Sequence, residues 1–356
     1  MSDNSDLRDI LTDSIEGLLA DLVTKEVLAA AETGTWPADL WRKIEDQGLT
    51  LPLVGEAGGG IAAGWHDVFP IIRAAGRHAA PVPLPETILA AYLLDRAGLK
   101  VPEGPLTVAI PRAGEALQLR RNGTKWQLSG TASRVPWGIR CRHAVVVSRD
   151  AEGVRVALVD TGKAQAEAGQ NIAREPRDTL RFANVEPDAV GDAESSIAAD
   201  TPLFLAAMLR AAQIAGGLDK ILDTTVEYAG TRVQFGRPIG KYQAIQFQLA
   251  AAAGQSAASG LAAEVAFRAA TLQADPRFEI ACAKARASEA AQTGTSVGHQ
   301  THGAIAFTYD HNLHFSTKRV WSWRAEYGSA GYWQQWIGDL FAAPGAPPLW
   351  GYLTAR

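Results

Sequence analysis

The middle of this chain cannot be helical, and its two flanks can hardly be anything else. Between residues 104 and 192 lie short runs rich in β-branched residues: Leu106-Thr-Val-Ala-Ile110, Leu117-Gln-Leu119, Lys125-Trp-Gln-Leu128, Arg142-His-Ala-Val-Val-Val-Ser148 and Val154-Arg-Val-Ala-Leu-Val159. Gly, Asp and Asn turns separate them, which is the pattern of antiparallel hairpins. Before this block, Leu7, Ile10, Leu11, Ile15, Leu18 and Leu19 recur at helical spacing. Trp36-Pro-Ala-Asp-Leu-Trp41 reads as a helix start with Pro near the first turn. Gly55-Glu-Ala-Gly-Gly-Gly60 reads as a loop. Helices are expected over 68–75, with Pro70 in the first turn, and over 87–97, joined by an irregular Pro81-Val-Pro-Leu-Pro85. After the block, residues 198–345 are rich in Ala and poor in turn signals, enough for about four long helices and hence a bundle. Gly216-Gly217 falls inside the first of these; each Gly costs roughly 1 kcal/mol against Ala in a helix, so close packing is expected there. The expected class is α+β, with an N-terminal helical domain (1–103), a central β-domain (104–195) and a C-terminal four-helix bundle (196–356).

With 356 residues, 47% of them hydrophobic and 20% charged, the chain is globular and long enough for more than one core. A net charge of -4 argues against a nucleic-acid partner. Cys141 and Cys282 have neither metal-ligand nor disulfide-framework spacing, so no metal site is expected. The N-terminus is acidic and polar, unlike a targeting peptide, and no apolar run reaches the roughly 18 residues of a membrane helix. No membrane partner is expected, and a cytoplasmic location is.

The stretch Arg232-Val-Gln-Phe-Gly-Arg-Pro-Ile-Gly-Lys-Tyr-Gln243 follows a long helical run. It offers a guanidinium suited to phosphate, a ring for stacking, a turn and amide donors within a few residues. It resembles the signature of the acyl-CoA dehydrogenase family, flavoproteins that oxidise acyl-CoA thioesters between the α and β carbons. Arg232, Gln234, Phe235, Gly236, Pro238, Ile239 and Gln243 carry the match, and the helical–β–helical order extends it to nearly the whole chain, as a bacterial short form. The resemblance implies FAD as cofactor, with Arg232 on its pyrophosphate, Gln243 on its adenosine and Phe235 packed on it. Read without the family, the same residues make a helix end capped by Arg232 and packed by Phe235 and Pro238.

Gly298-His-Gln-Thr-His-Gly-Ala-Ile-Ala-Phe-Thr308 resembles the family's glycine-rich turn near the adenine and ribose. Gln300 and Gly303 match, whereas Ala304 and Ala306 stand where the family has glycine. A methyl group there can block close approach of backbone to ligand. His302 is either a turn histidine or a chemical group of this corner. In the β-domain, Ala109-Ile-Pro-Arg-Ala-Gly-Glu115 echoes a flavin-lining motif at Pro111, Ala113 and Gly114 but lacks its acid and serine. Trp137, in Val135-Pro-Trp-Gly138, is either the flavin's neighbour or core.

The reaction needs a carboxylate within reach of the α-proton, in surroundings that raise its pKa. The family places a Glu at one of two positions. One falls on Leu209, beside Arg210. The other falls in Trp321-Ser-Trp-Arg-Ala-Glu-Tyr-Gly-Ser329, where an ungapped alignment puts Tyr327 on the base and Glu326 one residue before it. Glu326 is the candidate base; otherwise it is a surface carboxylate paired with Arg324 or Arg319. Asp310 is the other carboxylate of the region. Five of the ten Trp residues, at 321, 323, 333, 336 and 350, cluster near the C-terminus and suggest an interface.

The resemblance thus implies an acyl-CoA substrate, electron-transfer flavoprotein or another acceptor as electron partner, and a homo- or hetero-oligomer, dimer or tetramer. Some bacterial members form mixed α2β2 assemblies in which one chain supplies the base and another part of the flavin site. The absent Glu at both usual positions points to that second arrangement.

Overall fold

The computed structural model describes residues 3–356, with side chains from Leu7 onward. Its residues divide into two compact units, Met1–Ala206 and Ala207–Arg356.

The first unit opens with five helices: α1 (Asp3–Leu22), α2 (Lys25–Glu32), α3 (Ala38–Asp46), α4 (Trp65–Arg77) and α5 (Leu84–Asp95). Two begin earlier than the spacing of apolar residues suggests. Asp67 Oδ2 accepts the Gly64 N–H at 2.9 Å, which fixes the start of α4 at Trp65 and leaves Pro70 inside the helix instead of in its first turn. Leu84 and Pro85 already belong to α5, where Pro is tolerated because the first N–H groups have no helical partner.

Strands β1 (Leu106–Val108), β2 (Leu117–Asn122), β3 (Lys125–Pro136), β4 (His143–Arg149), β5 (Val154–Asp160), β6 (Gln165–Glu167), β7 (Arg177–Val185) and β8 (Ala189–Asp192) follow. They form two four-stranded sheets, ordered β1-β4-β5-β8 and β2-β3-β7-β6. All pairs are antiparallel except β1 with β4, which run parallel. Leu117, Leu119, Leu128, Val135, Val146, Val159, Leu180 and Phe182 from both sheets form one buried core. Alternate residues of β2 face solvent, as expected where only one face of a strand is covered.

Helix α6 (Thr201–Thr231) leads into the second unit, which continues with a short hairpin, β9 (Val233–Gln234) and β10 (Arg237–Pro238). Then come α7 (Gln243–Leu272), α8 (Arg277–His302), α9 (Leu313–Trp323), α10 (Ala330–Ala342) and α11 (Leu349–Thr354). The bundle therefore has three long helices and two of intermediate length. By length and composition α6 could cross a membrane, contrary to the reading of the apolar runs, but 89% of its most apolar window is buried inside the protein. Gly294 and Gly298 of α8 let that helix approach α6: a Cβ at Gly294 would lie 2.4 Å from Leu218 Cδ2. Gly216 and Gly217 are buried as well.

Candidate active site

Two corners of the second unit hold the residues singled out in the sequence. The first lies at the C-terminal end of α6. There Phe235 and Gly236 turn the β9–β10 hairpin with φ of 51° and 81°. A two-residue turn with both φ values positive suits the twist of a hairpin but strains a non-glycine residue. Phe235 is 93% exposed, so it does not pack the helix end. The Arg237 guanidinium lies 4.1 Å from the Tyr242 ring centre, and Tyr242 Oη donates to the Gln234 carbonyl at 3.1 Å, so the hairpin is braced from its base. The side chains of Arg232, Gln243 and Gln300 are exposed and, among the described residues, make no hydrogen bond or ion pair.

Gly303 ends α8 at φ 68°, with open space where a Cβ would stand. His302 ties this turn to α6. Its ring stacks on Tyr228 at 4.3 Å and meets His311 edge-on at 4.7 Å, and Nδ1 donates to the Gly298 carbonyl at 2.8 Å. Burial lowers its pKa despite that hydrogen bond, which favours the neutral ring, and its buried Nε2 has no hydrogen-bond partner among the described residues. His302 is therefore a buried packing residue and not a surface one. Ala306 is buried, whereas Ala304 is exposed. The Tyr228–His302 stack brings the Arg232 hairpin and the Gly303 turn to one end of the bundle. A cation, three amide-bearing or backbone donors and an unpacked ring are a set that fits a dinucleotide's pyrophosphate, adenosine and ring system.

The second corner lies roughly 27 Å back along α6, eighteen residues at 1.5 Å each. Arg210 is 2% exposed, and its Nε donates to Glu326 Oε2 at 2.7 Å. Its Nη1 donates to Gln213 Oε1, and its guanidinium lies over the Tyr327 ring at 5.5 Å. Lys284, wholly buried on α8, adds a second cationic group to this corner. Burial pushes its ammonium down to about 7, Glu326 pulls it back up and Arg210 lowers it further. Glu326 is thus not on the surface: its side chain is 14% exposed, and it accepts from Arg210, a partner the sequence did not suggest. Arg324 instead lies on the Trp321 ring, 3.7 Å from its centre. Asp310 is exposed, outside this cluster.

In the first unit, Trp137 is 8% exposed, at φ 57°, with its ring edge-on to Trp36 at 6.0 Å. Glu115 accepts the Arg112 and Ser133 N–H groups, each at 3.0 Å. Burial would raise its pKa, but these hydrogen bonds outweigh it and hold the carboxylate ionised. Its role is to close a turn and tie it to β3. Of the five C-terminal Trp residues, Trp323 and Trp333 are core, and Trp321 and Trp350 remain exposed.

Sequence reasoning missed Lys284, Gln213 and the choice of Arg210 as partner. It also gave no hint of His143, Asp160 and Asp188, whose ligand atoms lie within 4.8 Å of one another. Asp188 of this group pairs with Lys163 Nζ at 2.5 Å and Asp160 with Arg142 Nε at 3.7 Å. A cleft of about 540 Å³ between α1 and α4 contains none of the candidate residues.

Residues 198–326 match the family of acyl-CoA dehydrogenase C-terminal domains. Acyl-CoA dehydrogenase IpdE2 of Mycolicibacterium smegmatis is 30% identical over 327 residues, 89% of this chain and 93% of the relative. A solved steroid acyl-CoA dehydrogenase, the Tcur3481–Tcur3483 G363A variant, superposes with a TM-score of 0.86 at 27% identity over 95% of this chain and 98% of that one. The ChsE4–ChsE5 complex of Mycobacterium tuberculosis shares the fold, at a TM-score of 0.84 and 24% identity over 95% and 98% of the two chains.

Proposed function

Because this chain belongs to the acyl-CoA dehydrogenase family, we propose that it works as one subunit of a two-chain enzyme whose companion supplies the carboxylate base. The enzyme class is FAD-dependent acyl-CoA dehydrogenase. Bound FAD would supply the acceptor for the hydride that leaves the β carbon. In this chain Arg232 would neutralise the pyrophosphate, Gln243 and Gln300 would hold the adenosine through their amides, and Phe235 would stack on the cofactor. Gly303 leaves room for the backbone to approach it. Trp137, buried against Trp36, would bear on the flavin only through the edge it leaves exposed.

The observation that carries the partner reading is the Arg210–Glu326 pair. A base must give a lone pair to the α-proton. The Glu326 carboxylate is committed to Arg210 at 2.7 Å. A proton on it would remove the carboxylate charge that the buried Arg210 guanidinium faces. Tyr327, on the aligned base position, has an unperturbed pKa of about 10 and is a poor base at neutral pH. A solved relative that pairs Tcur3481 with Tcur3483 fits the same arrangement. Electrons would pass on to electron-transfer flavoprotein or a similar acceptor.

A second reading keeps Glu326 as base. It is favoured by the part of the Glu326 side chain that stays exposed, 14%, one residue from the aligned base position. The visible spectrum of the purified lone chain, with protein and flavin both quantified, separates the two. The partner reading expects substoichiometric flavin and no bleaching by acyl-CoA. Full occupancy with turnover that Glu326→Gln abolishes would establish the second.

A further inference from the structure

Lys284 makes three hydrogen bonds with its three protons: to Ser288 Oγ at 3.0 Å, to the Arg324 carbonyl at 3.0 Å and to the Gly328 carbonyl at 2.8 Å. The two carbonyls bracket Glu326, one two residues before it and one two residues after. Ser288 Oγ also donates to the Arg324 carbonyl at 2.9 Å, and Trp333 Nε1 donates to the Tyr327 carbonyl at 3.0 Å. Three carbonyls of the turn are therefore held from α8 and α10. Within the turn Tyr327 and Gly328 both have positive φ, 53° and 98°. For Tyr327 that conformation costs roughly 1–2 kcal/mol, so it persists only where its surroundings impose it.

We propose that Lys284 is a positioning residue: by fixing the turn on both sides of Glu326, it commits that carboxylate to Arg210. The charged groups that face Lys284 are Arg210 from α6 and Glu326 from the turn itself. The turn is short, and with both flanking carbonyls tied to one ammonium the backbone that carries the Glu326 side chain is held on both sides, with its carboxylate against Arg210. The consequence, which rests on the partner-subunit reading, is that a carboxylate one residue from the usual base position is kept out of the chemistry.

The test uses the full chain alone, with neither flavin nor companion. The coupling between Arg210 and Glu326 is measured by urea unfolding of Arg210→Met, Glu326→Gln and the double variant, once with Lys284 present and once in Lys284→Met. With Lys284 the coupling should change the unfolding equilibrium at least about tenfold, and without it less than about threefold. Equal coupling in both backgrounds overturns the proposal. Should Lys284→Met fail to fold, the pH profile of stability decides between wild type and Glu326→Gln. Loss of the carboxylate that pulls Lys284 upward should move the onset of its alkaline rise in stability below the wild-type onset near pH 7. An unchanged onset overturns the proposal, and a merely space-filling Lys284 would leave it unchanged. Turnover by the lone chain would sink the partner reading, while the coupling result would still decide the positioning one.

Discussion

Arg210 and Glu326 stand 116 residues apart in the chain and 2.7 Å apart in the fold, both largely withdrawn from water. Breaking a buried pair by removing one partner costs about 3–5 kcal/mol, because the other charge is left uncompensated. The two single deletions are not equivalent here. Glu326→Leu removes the carboxylate that both Arg210 and Lys284 face, whereas Arg210→Met leaves Lys284 facing Glu326. Chemical denaturation should show the larger loss for Glu326→Leu, and the double variant Arg210→Met/Glu326→Leu should be more stable than Glu326→Leu alone.

Lys284 makes stability depend on pH in an unusual direction. Its folded pKa is pushed down to about 7 by burial, against about 10.4 in the unfolded chain. Between these values the unfolded state binds one more proton than the native state, so this group makes stability rise with pH, by up to about 1.4 kcal/mol per unit. Below about 7 both states are protonated and its contribution is flat. Thermal melts from pH 6 to 9 should show the rise in wild type and its disappearance in Lys284→Met.

The architecture was legible wherever pattern and chemistry agreed. Strands β1 to β5 were visible as β-branched runs. Strand β7 was not, although Leu180 and Phe182 alternate with polar residues, because Arg177 and Asp178 read as surface. Both are buried: Arg177 pairs with Glu175 at 2.9 Å, and Asp178 accepts the Ile139 N–H at 2.9 Å and the Gly169 N–H at 3.1 Å. The Arg232 to Gln243 stretch was legible because its residues act locally, on one hairpin and the helix after it. Glu326 was visible as a candidate, but its partner was not, since a pairing across 116 residues leaves no local trace. Lys284 had a faint signal. It is a lone Lys in the Ala-rich run 280–291, on the same helix face as Ile280, Ala287 and Ala291, where an amphipathic helix buries what it carries.

Gly328 is constrained by its backbone and by its neighbours. It has φ 98°, and a Cβ there would lie 2.5 Å from Trp333 Nε1 and 2.6 Å from Tyr332 Cδ1. Trp333 Nε1 is the donor to the Tyr327 carbonyl, so relief of the clash would loosen the turn that carries Glu326. Gly328→Ala should cost about 1–3 kcal/mol in unfolding free energy. Gly338→Ala on α10, where nothing lies within 4 Å of the added carbon, should leave stability unchanged or slightly improved.

Arg232 offers the most direct test of cofactor binding by this chain. Its guanidinium is exposed and, among the described residues, has no partner, so its removal takes nothing from the fold. A hydrogen bond to a charged group contributes about 1.5–3 kcal/mol, equivalent to roughly a 10- to 150-fold change in affinity. Arg232→Met should weaken FAD binding by that factor, read by flavin retained on gel filtration of whatever assembly binds it, while the melting temperature of the flavin-free chain stays put. Arg232→Lys should recover only part of the affinity, since an ammonium keeps the charge but loses the fork that two phosphate oxygens can share. Full flavin retention in Arg232→Met would place the pyrophosphate elsewhere and remove the hairpin from the site.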